Sequence, residues 1–536
     1  MACSNTSCSA VLDIPELVSL VCESAPVSDC AVLLRVSRLF FDCAAPLVWK
    51  NIHGVTKLFS LLDGASTHTE DAGHRRSNII ITLKEGLDFS RFDYYAGLIR
   101  TFEVFERRCD ILVFHDWSIL HSRIAARGKP LIPNLIELAC REAPSEQSHD
   151  TIINWVNLFL TPDLVELRVP NPNGDICAMF TWLAPMLVSN MLNTVSAKCP
   201  SLKTLEVSPG TNQTDAPLEF DIPLDTRLHE HIARFDSLRT LVTSAAALEP
   251  GMLQALGQLP RLEALSVVSS HQHEPIMRLV PLPRNAFPVL ERLELRRLSL
   301  RAIMTIWYTK GLVEKLTSVV IAQPILDDWT PRNWAGELMS HVCRESPGLL
   351  DFYLDPYYYA SQVVYLCEAD LKLLQEQRIL LNSLTLCGTL MDRNVTNQDF
   401  ANAFPNLQVL RLPSWRLSWD CLRDLAGRLP KLHTLSVSLD LWHTTIPEKS
   451  RCISSEPLSL ELNWSFPNSP SNSKLTELAK FLCVTWPSVK CAFLRGLRLD
   501  HRAMSTLQRL NERISDVRRQ KRIEAGRLSE NIPTTC

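Results

Sequence analysis

FPNLQVLRL occupies residues 404–412, and LPKLHTLSV follows at 429–437. Both spell one frame: apolar, Pro, any, Leu, any, any, Leu, any, apolar. In an extended chain side chains alternate, so the second Leu and the closing apolar residue share one face. Proline cannot continue a helix, so the frame reads as a helix ended and a strand begun. The frame recurs as IPNLIELAC (132–140), TPDLVELRV (161–169, first position polar), CPSLKTLEV (199–207) and LPRLEALSV (259–267). It continues as FPVLERLEL (287–295), SPGLLDFYL (346–354) and WPSVKCAFL (486–494). FDSLRTLVT (235–243) has Asp236 in place of the proline.

The first framed Leu, Val in the last copy, falls at 135, 164, 202, 238, 262, 290, 349, 407, 432 and 489. The steps are 29, 38, 36, 24, 28, 59, 58, 25 and 57 residues. Each long step is about two short ones, and each long gap holds a weaker copy: LTSVVI from Leu316, LNSLTL from Leu381 and LSLEL from Leu458. IRTFEV from Ile99 is an earlier copy. One-sided helical stretches precede several strands: GMLQALGQ (251–258), NQDFANA (397–403), CLRDLAGR (421–428) and KLTELAKFLCV (474–484). A strand and a returning helix every 24 to 38 residues predicts a parallel βα array. Parallel strands need such crossovers, and one unit cannot cover its own apolar face. The alternative is a non-repeating α/β domain with Leu-rich strands.

The chain resembles the leucine-rich repeat proteins, with roughly fourteen irregular units. That resemblance implies an α/β solenoid with parallel strands on a concave face and helices on a convex face. The Asn or Cys that usually follows the strand is missing, which predicts uneven turns. In such an array the residues between the buried leucines point away from the core. Around the later units these are Arg292, Glu294, Arg296, Asp351, Tyr353, Asp355, Arg411, Thr434 and Ser436. Mixed charge with a central aromatic suits a protein target, because Arg and Tyr often anchor interfaces.

Ahead of the array, residues 12–52 read LDIPELVSLVCESAPVSDCAVLLRVSRLFFDCAAPLVWKNI. Pro15 suits a first helical position with Asp13 as its cap, and Asp29 could cap a second helix. Val32, Leu33, Val36, Leu39 and Phe40 would share a face of that second helix, and a short third helix would end near Trp49. Ile14-Pro15-Glu16-Leu17, Val36-Ser37-Arg38 and Ala45-Pro46-Leu47-Val48-Trp49 give this segment its resemblance to an F-box of the fungal type. The resemblance implies docking of a Skp-type adaptor, and through it a cullin-RING ubiquitin ligase. Ile14, Pro15, Leu17, Leu20, Val21, Leu33, Val36, Leu47 and Trp49 would make the contact. The alternative is a plain helical cap on the first repeat, in a repeat scaffold with no ubiquitin role.

Residues 1–10 are expected to be disordered, 11–54 to form the helical module, and 55–98 a linker and the start of the array. Repeats would run over 99–500, and a helix with a basic tail over 501–536. Within the linker, Ser66–Ser77 is polar and reads as a loop, and Ile79–Leu83 as the strand that starts the array. The basic C-terminal stretch reads either as a helix packed on the last repeat or as a patch for nuclear import or an anionic partner.

The 536 residues carry 55 Lys and Arg against 58 Asp and Glu, a net charge of −3. That near-balance argues against a dedicated nucleic-acid or membrane-surface binder. With 46% hydrophobic and 21% charged residues, the chain is not mainly disordered. The 17 cysteines include no CxxC pair and read as reduced core thiols of a cytoplasmic or nuclear protein. The stretch 179–192 is broken by Pro185, Ser189 and Asn190 and is too short to span a bilayer. No GxGxxG, P-loop, GxSxG or HExxH occurs. His229 with His231, and His271 with His273, are HxH pairs that would need a third ligand to hold zinc, so both read as solvated. The expectation is a non-catalytic protein with no cofactor and no metal.

Overall fold

The computed structural model describes residues 13–73, 76–106, 111–141, 143, 147–169, 182–210, 227–269, 282–283, 285–326, 330–331, 333–356, 364–392, 394–439, 458–463, 471–493 and 501–530. They divide between two compact units, Met1–Pro275 with Asn285–Val289, and Ile276–Arg284 with Leu290–Cys536. The expected disordered start and the pair His271 and His273 lie outside the described residues.

The first unit opens with three helices: α1 (Pro15–Ser24), α2 (Val27–Leu33) and α3 (Arg38–Trp49). Ile14, not Asp13, stands at the α1 N-cap, with Pro15 at its first position and no side-chain cap. Asp29 lies inside α2, which starts after Pro26. The stretch from Val32 to Phe40 is not one helix. The chain turns after Leu33, and the Ser37 hydroxyl accepts from the Phe40 N–H to begin α3. Val18, Cys22, Cys30, Phe40 and Ala44 form a small core of their own.

Seven parallel strands follow: β1 (Asn51–His53), β2 (Thr101–Glu103), β3 (Glu137–Ala139), β4 (Glu166–Arg168), β5 (Thr204–Glu206), β6 (Thr240–Ser244) and β7 (Ala264–Val268). The second unit carries eight more: β8 (Arg292–Arg296), β9 (Ser318–Ala322), β10 (Asp351–Asp355), β11 (Ser383–Leu386), β12 (Val409–Leu417), β13 (Thr434–Leu439), β14 (Ser459–Asn463) and β15 (Lys490–Phe493). In each unit the strands pair in chain order, with helices in the connections the structure describes, the α/β leucine-rich-repeat arrangement.

The frame explains the geometry at backbone level. Its first residue closes the preceding helix: the Cys199, Ser346, Phe404, Leu429 and Trp486 N–H groups bond back to the carbonyls of Val195, Val342, Phe400, Leu425 and Leu482. The carbonyl of that same residue then receives the N–H of the framed Leu, as in Leu349 to Ser346 (3.1 Å) and Leu432 to Leu429 (3.1 Å). Proline thus sits second in a four-residue turn, where its fixed φ suits the bend and its missing N–H costs nothing. Immediately after the framed Leu, one carbonyl of the preceding repeat accepts two N–H groups. Arg100 takes those of Ile136 and Glu137, Lys203 those of Arg239 and Thr240, and Gln408 those of His433 and Thr434. This bifurcated bond fixes the register. Leu293, Val319, Phe352, Leu384, Leu410, Leu435 and Leu460 form one buried row and Leu295, Ile321, Leu354, Leu386, Leu412 and Val437 another.

Three of the turns after the strands bend through a left-handed residue. Arg297 and Gln323 take left-handed φ values of 56° and 54°, and the Arg297 Nε donates to the Gln323 Oε1 at 2.9 Å. Gly388 supplies the corresponding bend at φ 61°.

Two linker expectations need correction. Ser66–Ser77 is not a loop: Ser66–Gly73 is a strand antiparallel to Arg76–Thr82, which also pairs in parallel with Ile111–Phe114. That three-stranded sheet is separate from the array, so Ile79–Leu83 does not start it. β1, directly after α3, does. The C-terminal helix (His501–Glu530) packs on the helix Asn472–Thr485 that precedes β15, burying Leu510 and Ile514. Its Lys521 donates to the Cys483 carbonyl, Arg518 to Pro487 and Val489, and Asn511 to Cys491.

Leu410→Ala is expected to lower the unfolding free energy by about 3 kcal/mol, while Ser318→Ala on the opposite strand face changes it by less than about 0.5 kcal/mol. Denaturant titration followed by tryptophan fluorescence checks both.

Candidate docking surfaces

Helix α1 is apolar on both sides. Val18 and Cys22 are buried toward α3, whereas Ile14, Leu17, Leu20 and Val21, three or four positions apart, face solvent. Val27 and Val32 of α2 and Val36 in the following turn face solvent too, and these seven side chains are between 39% and 66% exposed. An apolar helix face is ordinarily covered, and exposed apolar side chains grouped among polar ones mark an interaction surface. The polar surround is Asp13, Glu16, Glu23, Asp29 and Arg35, all exposed.

Of the residues expected to meet an adaptor, Ile14, Pro15, Leu17, Leu20, Val21 and Val36 are exposed. Leu33 and Leu47 are half-buried against the module's own core. Trp49 turns toward the array and packs on Tyr95 with ring centroids 4.4 Å apart, while Phe41 stacks on Tyr94 at 6.2 Å. Sequence reasoning passed over Val27 as a contact and assigned Val32 to a single long helix. Their signal was an excess of apolar residues over what two short helices can bury.

The second polar surface is the strand face of the second unit. In the register Glu294, Val320, Tyr353, Thr385, Arg411, Ser436 and Glu461 lie in one row, between the two buried rows. Glu294 pairs with Arg296 on the same strand. The Tyr353 hydroxyl donates to the Asp355 Oδ2 at 3.2 Å. Arg411 reaches across the intervening strand, its Nε 3.1 Å from the Glu461 Oε2. Ser436, on the strand between them, is fully buried and its Oγ has no hydrogen-bond partner. Arg292, Asp351 and Thr434 fall in the next row, with Ser318 and Ser383. The register therefore brings the expected positions onto one face and adds Thr385 and Glu461, which the frame had not singled out.

Burial governs the ionisation of this face. It pushes the Asp355 carboxyl above its usual range, against the opposing pull of the Tyr353 hydrogen bond and the Arg296 charge. It pushes the Cys387 thiol, 3.9 Å from the Tyr353 hydroxyl, up to about 12, with the Asp355 charge adding to the effect. A thiol so held is no nucleophile at neutral pH. Cys343 and Cys491 are likewise raised to about 12 by burial.

The first unit carries a strand face that sequence reasoning did not develop. Glu137 and Glu166 occupy one row, and Glu103, Arg168 and Glu206 another. Arg168 sits with Glu166 and Glu137, and Arg141 spans to Glu206 at 2.9 Å while its backbone N–H donates to Glu103 at 3.3 Å. The same outward positions of the frame pointed to these residues. The strands here are only three residues long, which made the face less conspicuous.

His229 and His231 lie on the helix Leu228–Ile232, where neighbours two apart diverge, so they do not form a chelating strand pair. Among the described residues no group of three His, Cys, Asp or Glu side chains could hold a metal, and no helix is long and apolar enough to cross a membrane.

No family model matches the chain, and no curated protein matches it in sequence. Many solved structures are similar to it, two of them as follows. One is the crystal structure of the Rad7–Elc1 complex in yeast, at 14% identity and a TM-score of 0.32, covering 62% of this chain and 86% of that one. The other is the TLR13–ssRNA13 complex, at 12% identity and a TM-score of 0.34, covering 80% of this chain and 57% of that one.

Removing one member of the Arg411–Glu461 pair strands the other, which is the more buried. Arg411→Ala is expected to cost about 2 kcal/mol of stability, with part of it regained on adding Glu461→Gln. A double-mutant cycle by denaturant titration reads the coupling. Asp355 gives a pH signature. Its folded-state pKa lies above the unfolded one, so the ionised carboxylate weakens the fold at neutral pH and the penalty disappears as pH falls to about 4. Asp355→Asn should therefore raise the melting temperature at pH 7, and the gain should vanish near pH 4.

Proposed function

We propose that this chain is the substrate-recognition subunit of a Skp-cullin-F-box ubiquitin ligase. The observation that carries the reading is the exposed apolar face of α1 and α2 on a helical module with its own core. A Skp-type adaptor would cover Ile14, Leu17, Leu20, Val21 and Val36, and a target protein would lie along the strand faces. In this reading the chain makes and breaks no bond. It raises the effective concentration of a target lysine near a ubiquitin-conjugating enzyme delivered by the cullin-RING assembly. The F-box-like segments Ile14–Leu17, Val36–Arg38 and Ala45–Trp49 support the choice of adaptor.

A second reading, a repeat scaffold without a ubiquitin role, is favoured by the packing of Trp49 on Tyr95 and Phe41 on Tyr94, which ties the module to the array like a cap. Adaptor capture separates the two. The full chain should bind a purified Skp-type adaptor. The double variant Leu17→Asp with Leu20→Asp should bind at least about a hundredfold more weakly, since two desolvated anchors are lost. Both side chains are solvent-exposed, so its melting temperature should hold. A wild-type chain that captures no adaptor removes the ligase assignment. A destabilised array in the variant supports the cap.

A further inference from the structure

The second-unit strand face has one charged residue at its centre. Across β11, β12 and β13 the paired positions are Ser383, Val409 and Thr434, then Leu384, Leu410 and Leu435, then Thr385, Arg411 and Ser436. Only Arg411 in that block carries a charge, and a buried hydroxyl lies on each side of it, at Thr385 and Ser436. Neighbouring strands are about 4.8 Å apart, so the three groups span roughly 10 Å. The Arg411 guanidinium is steered by Glu461 through Nε alone, and its side chain remains about a third exposed. Its forked Nη end is thereby held in one orientation. The Ser436 Oγ is buried without a partner, a state that costs stability unless something supplies the missing hydrogen bond. The carboxylate of the row, Glu461, is already engaged by Arg411.

We propose that Arg411, with Thr385 and Ser436, forms a subsite for an oxyanion carried by an extended polypeptide, a carboxylate or a phosphate. A planar guanidinium fixed at Nε presents two parallel N–H donors, the geometry that pairs with such groups. Ser436 completes its hydrogen bonding on the same oxyanion. The subsite deepens the target-holding half of the proposed function and rests on it, but it needs no adaptor.

The test uses the full chain and four pools of eleven-residue peptides with randomised flanks and a fixed central Glu, phosphoserine, Gln or Lys. Retention of at least one oxyanion pool about tenfold above the Gln and Lys pools is expected, and the Glu and phosphoserine arms distinguish carboxylate from phosphate. Arg411→Gln and, separately, Ser436→Ala should each abolish the preference. Arg428→Gln, which removes a positive charge from the helix of the same repeat, should keep it. Ser436→Ala breaks no hydrogen bond within the chain, so its melting temperature should not fall. That variant decides the matter even if Arg411→Gln unfolds. Equal retention of all four pools, or a preference that survives Ser436→Ala and Arg411→Gln, overturns the subsite. Adaptor capture is read separately, so its failure removes the ligase reading without touching this result.

Discussion

One carbonyl that accepts two N–H groups from the next repeat is the bond on which the rest depends. It recurs in both units, from Arg100, Lys203 and Arg239 to Glu291, Leu350 and Gln408, directly after the framed Leu. A parallel pair shifted by one residue would turn every leucine outward and every arginine inward. By pinning the strand start, the paired bond lets a sequence with steps of 24 to 38 residues keep its apolar rows aligned. Variation in length is then absorbed by the helices and loops, where it costs little.

The same register decides what the polar residues can do. Outward positions repeat at a strand spacing that an arginine can bridge twice over. Arg411 reaches Glu461 over Ser436, and Arg141, just past β3, reaches Glu206 on β5. Such bridges tie outward side chains together across the strand faces. At the front of the chain the logic reverses. α1 has more apolar residues than a small three-helix core can take, and the surplus faces solvent.

The array was legible in the sequence because both of its signals are local. A proline turn and a period of two can be read within nine residues, and the long gaps between frames forecast the copies at Leu316, Leu381 and Leu458, where strands do form. β1 was not legible: three residues with one buried side chain, Ile52, offer no pattern to detect. Nor was the strand Ser66–Gly73, a polar run whose backbone pairs with Arg76–Thr82. The split between α2 and α3 depends on one serine side chain bonding a backbone N–H, which competes on nearly even terms with Asp29 as a helix starter. Of the candidate surfaces, the outward positions of β8 to β13 followed directly from alternation. Glu461 needed the register, because its partner lies 50 residues away.

The C-terminal helix has a consequence for solubility. Among the described strands β15 pairs only with β14, so its other side would offer a row of backbone donors and acceptors to any passing strand. Asn511 occupies the Cys491 carbonyl on that edge, and Arg518 and Lys521 occupy those of the neighbouring turn and helix end. Part of the open edge is thereby spoken for by the chain's own side chains, which leaves fewer carbonyls to recruit a foreign strand.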